Sequence, residues 1–318
     1  MPYASSHKAT TAPHSKNAAS ANATIDQQRN TQRENPTQQA IKQAVDFLLE
    51  QLAADKSETL STYLAAMARF HKYSFGNIMA IARQRPTATH VAGFHTWKEL
   101  GRFVKRGEKG IQIFAPMMGK RRTKDDNNQR SKQDDNAKAA PVLIGFRAVY
   151  VFDYTQTEGA ELPEMEHSIN GEVGEHRNRL IAFLDSQNIA LEYSEEIAPA
   201  LGVSYGGRIA LLPGQQKAEE FTTLVHELAH ELLHKTERRT GTTTTMRETE
   251  AEAVAFIVGQ AIGLEMGTAS SDYIQMYAGN AELLTESLHV IQQTSALILD
   301  AIQPRSDAQA NQSFAEVA

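Results

Sequence analysis

The sequence predicts a mixed α+β protein of two domains, and three observations carry that expectation. Charge divides the chain: the net −6 is the sum of residues 1–160, with 23 Lys/Arg against 14 Asp/Glu, and residues 161–318, with 9 against 24. Both halves mix segments of helical periodicity with short alternating runs that read as strands. A polar stretch, "EGAELPEMEHSINGEVG", lies between the halves and reads as a linker. The 318 residues, 41% hydrophobic and 22% charged, suffice for two globular domains of about 100–200 residues each. Cysteine is absent, which excludes disulfides, thiolate metal sites and cysteine catalysis. No apolar run approaches the roughly 18–20 residues that span a bilayer, and the N-terminus lacks the apolar stretch of a secretory signal. The expectation is a cytoplasmic protein with no membrane partner.

Residues 1–40 are rich in Ala, Ser, Thr, Asn and Gln and read as disordered, since they hold too little apolar surface to offset ordering entropy. From Ile41, "IKQAVDFLLEQLA" sets its apolar residues largely on one helical face. "LSTYLAAMARFHKY" reads as a second helix, and "SFGNIMAIARQ" as a third, with Ser74 as N-cap and Pro86 as terminator. "HVAGFHTWKELG" reads as a strand, a turn and a short helix capped by Thr96, and "VKRGEKGIQIFAP" as a turn into a strand. A polar insertion at about 118–140 reads as a flexible loop before the strand in "PVLIGFRAVYVFDYTQTEG". The first domain is therefore expected over 41–160. The second, over 161–303, opens with a helix in "HRNRLIAFLDSQN". Strands at "IALEY" and "VSYGGRIALLPG" follow, the latter a hairpin turning at Gly206–Gly207. Helices run through "LVHELAHELLH" and "MRETEAEAVAFIVGQAIGL" to about Ile302, and the tail, 304–318, reads as disordered.

"LVHELAHELLH" carries the chemistry. His226 and His230 are four residues apart, one turn of a helix, about 6 Å in rise, on the same face. That separation suits two ligands of one Zn²⁺ or another divalent ion such as Mn²⁺. Glu227, about 100° round the helix, can reach a water on the metal and act as general base. Leu224, Leu228 and Leu232 supply a separate apolar stripe, so the histidines are not needed for the core. His234 lies about 12 Å along the helix from His226, too far to share its metal on a straight helix, and reads as a supporting or surface histidine. Thr236 stands where a metzincin would carry its third histidine.

"RETEAEAVAF" resembles the second helix of gluzincin-like peptidases. The resemblance implies Glu248 as third ligand and Glu252 as the acid that orients a histidine, with the exchange of the two as the alternative. Glu248 and Glu252 share a face; Glu250 points roughly 160° away. Tyr205 can donate to an oxyanion, or pack in the hairpin.

The first half interleaves aromatics with cations in "GFHTWKELGRFVKRGEKGIQIF". Trp97, Lys98, Arg102, Phe103, Lys105, Arg106 and Lys109 are the candidate contacts to single-stranded DNA, where bases stack and phosphates pair with cations. For Trp97 and Phe103, core packing is the alternative.

"YSFGNIMAIARQRP", "VAGFHTWKELGRFVKRGEKGIQIFAP" and "VYVFDYTQTEG" resemble the N-terminal domain of ArdC-type antirestriction proteins, and "TLVHELAHELLH" with "RETEAEAVAF" resembles their zincin-like metallopeptidase domain. The resemblance covers about residues 41–300, in order. It implies a protein of plasmids, phages or integrated elements that binds single-stranded DNA and helps incoming DNA evade host restriction. A host restriction protein or another protein would be the peptidase target. The competing expectation is a DNA-binding protection protein with a structural or vestigial metal site and no peptidase activity.

Overall fold

The computed structural model describes residues 36–54, 58–119, 142–161, 173–266 and 280–303. Three helices open the described chain: α1 (Pro36–Ala53), α2 (Glu58–Arg69) and α3 (Phe75–Gln84). Helix α1 begins at Pro36, ahead of the expected start at Ile41. Proline has no N–H to leave unpaired, and its fixed φ suits a first turn. Residues 36–40, expected to be disordered, are thus helical; the rest of that segment, 1–35, lies outside the described residues. Ser74 precedes α3 with extended backbone, as an N-cap should, but its side chain makes no cap bond.

Strand β1 (Val91–Gly93) runs directly into α4 (Phe94–Glu99). Gly93 occupies the cap position and Thr96 lies inside the helix, correcting the expected cap. Strands β2 (Arg102–Val104), β3 (Ile111–Gly119), β4 (Val142–Asp153) and β5 (Thr157–Gly159) follow. One sheet has the order β1-β4-β3, antiparallel throughout; β2 and β5 pair separately as an antiparallel ribbon. The expected insertion therefore sits between paired strands, with Gly119 opposite Val142. Met118 and Gly119 belong to β3, and residues 120–141 lie outside the described residues.

The second half contributes α5 (Gly174–Ser186), β6 (Ala190–Tyr193), β7 (Gly202–Ser204), β8 (Arg208–Leu211), α6 (Lys217–Leu233), α7 (Thr236–Gly241), α8 (Thr244–Ala261) and α9 (Ala281–Ile302). Its sheet has the order β6-β8-β7, with β6 parallel and β7 antiparallel to β8. The β7–β8 turn is the expected Gly206–Gly207 pair. Both glycines have positive φ, +81° and +89°, which a two-residue hairpin turn of this kind requires. Parts of the expected linker (162–172) and the expected tail (304–318) lie outside the described residues.

The described residues, all from Pro36 on, form one compact unit. Helix α2 packs on α8, and α9 packs on α1 and α3 as well as on α5, α6 and α8. Leu48, Leu64, Ile78 and Ile113 share a continuous apolar cluster with Leu224, Val254, Leu288 and Ile298. The described residues on either side of the boundary expected near residue 160 thus build one core, not two.

Sheet β1-β4-β3 turns Ile111, Ile113, Val149 and Val151 toward that core. The alternate positions, Phe114, Phe146, Tyr150 and Phe152, fall on the opposite face because strand side chains alternate. Strand β3 is an edge, and α3 covers it. The Asn77 amide donates to the Phe114 carbonyl (3.0 Å) and accepts from the Phe114 N–H (2.9 Å). Gln84, two turns along, does the same with Gln112 (2.8 and 3.0 Å). Two side-chain amides therefore stand in for a neighbouring strand.

Candidate metal centre and nucleic-acid face

Helix α6 starts with Glu219 and Glu220 in its first turn, where carboxylates suit the positive end of the helix dipole. Phe221, Leu224, Val225 and Leu228 anchor it in the core with no exposed surface. Thr223 and Glu227 lie along the side that faces β7. A Cβ on Gly202 would come within 2.7 Å of both the Thr223 and Glu227 side chains, so the close approach of strand to helix requires glycine there. One turn on, the Glu231 carboxylate accepts from the Ser204 hydroxyl (2.7 Å) and from the amides of Gly206 (2.7 Å) and Gly207 (2.6 Å). This clamp fixes the hairpin on the helix and aims the Ser204 amide at the Glu227 carboxylate. Nothing in the sequence reading marked Glu231; its signal was an acid one turn beyond Glu227, opposite a Gly-Gly turn rich in unpaired amides.

Helix α8 brings Glu248 to the two histidines. The nearest donor atoms of His226, His230 and Glu248 all lie within 4.8 Å of one another. The two Nε2 atoms are 3.1 Å apart, and each is 3.4 Å from Glu248 Oε2. Ligands at about 2.0–2.1 Å from one tetrahedral metal would lie about 3.3 Å apart. The donor set therefore fits a divalent ion. Burial holds His226 below the usual histidine range. Burial and the neighbouring His226 ring do the same to His230. Both rings are thus neutral near pH 7, with lone pairs to offer. Glu227, nearly buried, is pushed up to about 7, first by burial and then by the Glu248 charge.

Glu252 departs from its expected role. It is exposed and acts on His226 as a nearby negative charge. The acid that meets a histidine behind the candidate ligands is Glu250, fully buried, whose Oε2 is 3.1 Å from His234 Nε2. Helix α8 packs against α6, α2 and α9, so the side turned away from Glu248 faces interior rather than solvent. His234 is buried as well, with its Nδ1 2.9 Å from His230 Nδ1. Tyr205 is 51% exposed, and the Arg208 guanidinium lies 4.3 Å over its ring.

Two of the expected DNA contacts belong to the interior. Trp97 is 2% exposed and donates from its indole to the Phe152 carbonyl (2.8 Å). Arg102 is buried. It donates to the Thr157 hydroxyl (2.8 Å), the Thr157 carbonyl (3.1 Å) and the Ala160 carbonyl, and lies 3.9 Å over the Tyr154 ring. Lys98, Phe103, Lys105, Arg106 and Lys109 are exposed. Lys105 also reaches the Thr155 carbonyl (3.0 Å). Phe114, half-buried and the last aromatic of that basic stretch, shares the outer sheet face with three aromatics that the sequence did not mark: Phe146 and Phe152, half-buried, and Tyr150, 58% exposed. The basic loop reaches this face. A Cβ on Gly110, next to Lys109, would lie 2.9 Å from Tyr150 Cβ and 3.2 Å from the Phe152 ring.

Fold and site together define a mixed α+β protein with a His-Glu-His helix, a third carboxylate on the next helix and an aromatic sheet face beside a basic loop. Residues 25–152 match the family model of the N-terminal domain of anti-restriction factor ArdC. The uncharacterized protein pXO2-81 of Bacillus anthracis is 23% identical over 312 residues, covering 85% of this chain and 53% of the relative. The chain thus spans about half the length of that curated relative. The metal-free crystal structure of antirestriction ArdC from plasmid R388 aligns at a TM-score of 0.52 and 17% identity, over 82% of this chain and 97% of that one. A Mn(II)-bound structure of the R388 protein aligns at 0.44 and 17%, over 77% and 99%. Residues 25–152 thus carry an ArdC-type N-terminal domain, and the fold of the chain resembles that of the R388 protein. No helix among the described residues is long and apolar enough to cross a membrane.

Proposed function

We propose that the protein binds single-stranded DNA and carries a zinc-dependent hydrolytic centre of the HExxH peptidase kind, and that it protects incoming DNA of a mobile element from host restriction. The observation that carries the hydrolytic part is the near-equilateral triangle of His226 Nε2, His230 Nε2 and Glu248 Oε2, with Glu227 beside it. Imidazole and carboxylate donors suit Zn²⁺ and accept Mn²⁺. A divalent ion held there supplies Lewis acidity toward a water and a scissile carbonyl. Glu227, held between Gly202 and the Ser204 amide, takes a proton at its carboxylate and hands it to the leaving amine. Burial and the Glu248 charge raise the Glu227 carboxyl in the metal-free site, and a bound divalent ion would draw it back toward the carboxylate form that a general base needs.

The DNA reading rests on the ArdC N-terminal domain and on the aromatic sheet face. Tyr150, Phe114 and Phe146 offer stacking surfaces. Lys105, Arg106 and Lys109 stand at one end of the face to pair with phosphates. Soluble activity and a cytoplasmic site of action fit this reading.

One set of variants tests both parts. Wild type and Glu227→Gln should purify with one divalent ion per chain, and His226→Ala and His230→Ala with none. Only wild type should cleave an unfolded protein substrate. Tyr150→Ala should weaken single-stranded DNA binding by about 5- to 100-fold, corresponding to about 1–3 kcal/mol for one stacked base. Equal metal in all four proteins would overturn the site. Metal without cleavage in wild type would leave a DNA-protection protein with a structural ion.

A further inference from the structure

Behind the candidate ligands lies a closed chain of hydrogen bonds that the hydrolytic reading does not use. His230 Nδ1 faces His234 Nδ1 at 2.9 Å. His234 Nε2 faces Glu250 Oε2 at 3.1 Å. The other Glu250 oxygen accepts from Arg238 (2.6 Å) and from the Ser287 hydroxyl (2.7 Å), and Arg238 reaches on to Glu286 (2.7 Å). His234 and Glu250 have no exposed side-chain surface. Every polar atom of both side chains has a partner.

The geometry fixes where the protons sit. A neutral imidazole has one N–H and one lone pair, and two ring nitrogens that face each other need one of each. If His230 gives its Nε2 lone pair to a metal, its proton is on Nδ1. It then donates to His234 Nδ1, which must accept. The His234 proton is therefore on Nε2, where it donates to the Glu250 carboxylate. Each hydrogen bond points the same way, from the metal face to a buried anion that Arg238 balances. With the opposite direction His230 Nε2 would carry a hydrogen and could bind nothing.

We propose that Glu250, acting through His234, is the positioning residue for His230: it fixes the ring and its tautomer so that Nε2 presents a free lone pair beside His226 and Glu248. The inference rests on the reading of those three residues as a ligand set. It gives the third histidine of the His226, His230, His234 series a task its spacing forbids it as a ligand. Partners of this kind, set behind metal-bound histidines, typically change metal affinity by about 10- to 100-fold.

The test is a titration of metal-free full-length protein with Zn²⁺ against a competing chelator. His234→Asn keeps an acceptor near the position of Nδ1 but cuts the link to Glu250; His234→Phe removes both; Glu250→Gln keeps the shape and removes the anion. Affinity should fall about 10-fold in His234→Asn and Glu250→Gln, and up to about 100-fold in His234→Phe. Thermal melts of the metal-free variants show whether each is folded. A residue with a merely structural role would shift the melt and leave affinity unchanged. The ¹⁵N signals of the metal-free wild type supply a second readout: His234 should show an acceptor nitrogen at Nδ1 and a proton-bearing one at Nε2. Wild type that binds no Zn²⁺ would sink the ligand set and the inference together. Wild-type binding with His234→Phe within twofold of it, or a His234 ring protonated at Nδ1, would sink the inference alone.

Discussion

Arg102, expected among the DNA contacts, and Asp153, which nothing in the sequence marks, are both buried. Arg102 sits in the most basic stretch of the chain, but it is spent holding β5 to β2 from beneath. Lys105, Arg106 and Lys109, a few residues on, are exposed. Composition alone does not separate the two cases, because the deciding fact is which side of β2 faces the Tyr154 ring. Asp153 ends β4 and caps the next turn. Its carboxylate accepts from the amides of Thr89 (2.7 Å), His90 (3.2 Å) and Thr155 (3.0 Å) and from the Thr155 hydroxyl. Burial alone would raise its pKa, but the Thr155 hydroxyl and these amides outweigh burial and hold it below the usual carboxylate range. The sign follows from linkage: a carboxyl depressed on folding stabilises the fold above its unfolded pKa, and that contribution disappears as pH falls through the folded value. Chemical denaturation from pH 6 to pH 2 should show stability falling once pH drops below about 4. Asp153→Asn should be less stable than wild type at pH 6, with the gap narrowing toward pH 2. A constant gap across that range would mean that the carboxylate charge is not what matters.

At the scale of elements, helix α3 is both core and cover. Ile78, Met79 and Ile81 bury one side of it, and Asn77 and Gln84 hold the free edge of β3 with their amides. Asn77→Ala should lower stability by about 1–3 kcal/mol, since it leaves part-buried backbone groups of Phe114 without partners. The double variant with Gln84→Ala should also self-associate, because an uncovered edge strand pairs with another. Light scattering of the double variant at rising concentration checks this; a monodisperse monomer would mean the amides are not protecting the edge. The periodicities of α1, α2, α3, α5 and α6 and the Gly206–Gly207 turn were legible because they rest on local rules. The outer aromatic face was not. Strand alternation splits β4 into two faces, but only its register with β3 and the position of the helices decide which face meets solvent. For the same reason Trp97 read as a stacking candidate when it is a core residue.

For the whole molecule, the charge division in the sequence does not coincide with a division in packing. Helices α1 to α3 are covered by α8 and α9. A fragment ending near residue 160 would expose Leu64, Met67 and Ile78, among others, to water. Such a fragment should express as aggregate or as a loosely packed state, with a shallow denaturation curve. A sharp cooperative transition would show that the N-terminal half closes on itself. The candidate metal triad shows what was legible at this scale and what was not. His226, Glu227 and His230 were marked by spacing along one helix. Glu248 needed a family likeness, because its distance from the histidines depends on how α8 docks on α6. Glu250 went unassigned and His234 is legible only as a supporting or surface histidine, because their meeting is a property of that docking and not of either helix.

The hairpin of β3 and β4 has one more consequence. Its arms are paired out to Gly119 and Val142, so the chain between them starts and finishes at neighbouring points. Closing a loop costs free energy that grows only with the logarithm of its length, about 0.6 kcal/mol for each doubling. Insertions and deletions at this point are therefore almost invisible to folding. The gene can lengthen, shorten or rewrite the stretch over evolutionary time while the strand register, and every ring that depends on it, stays where it is.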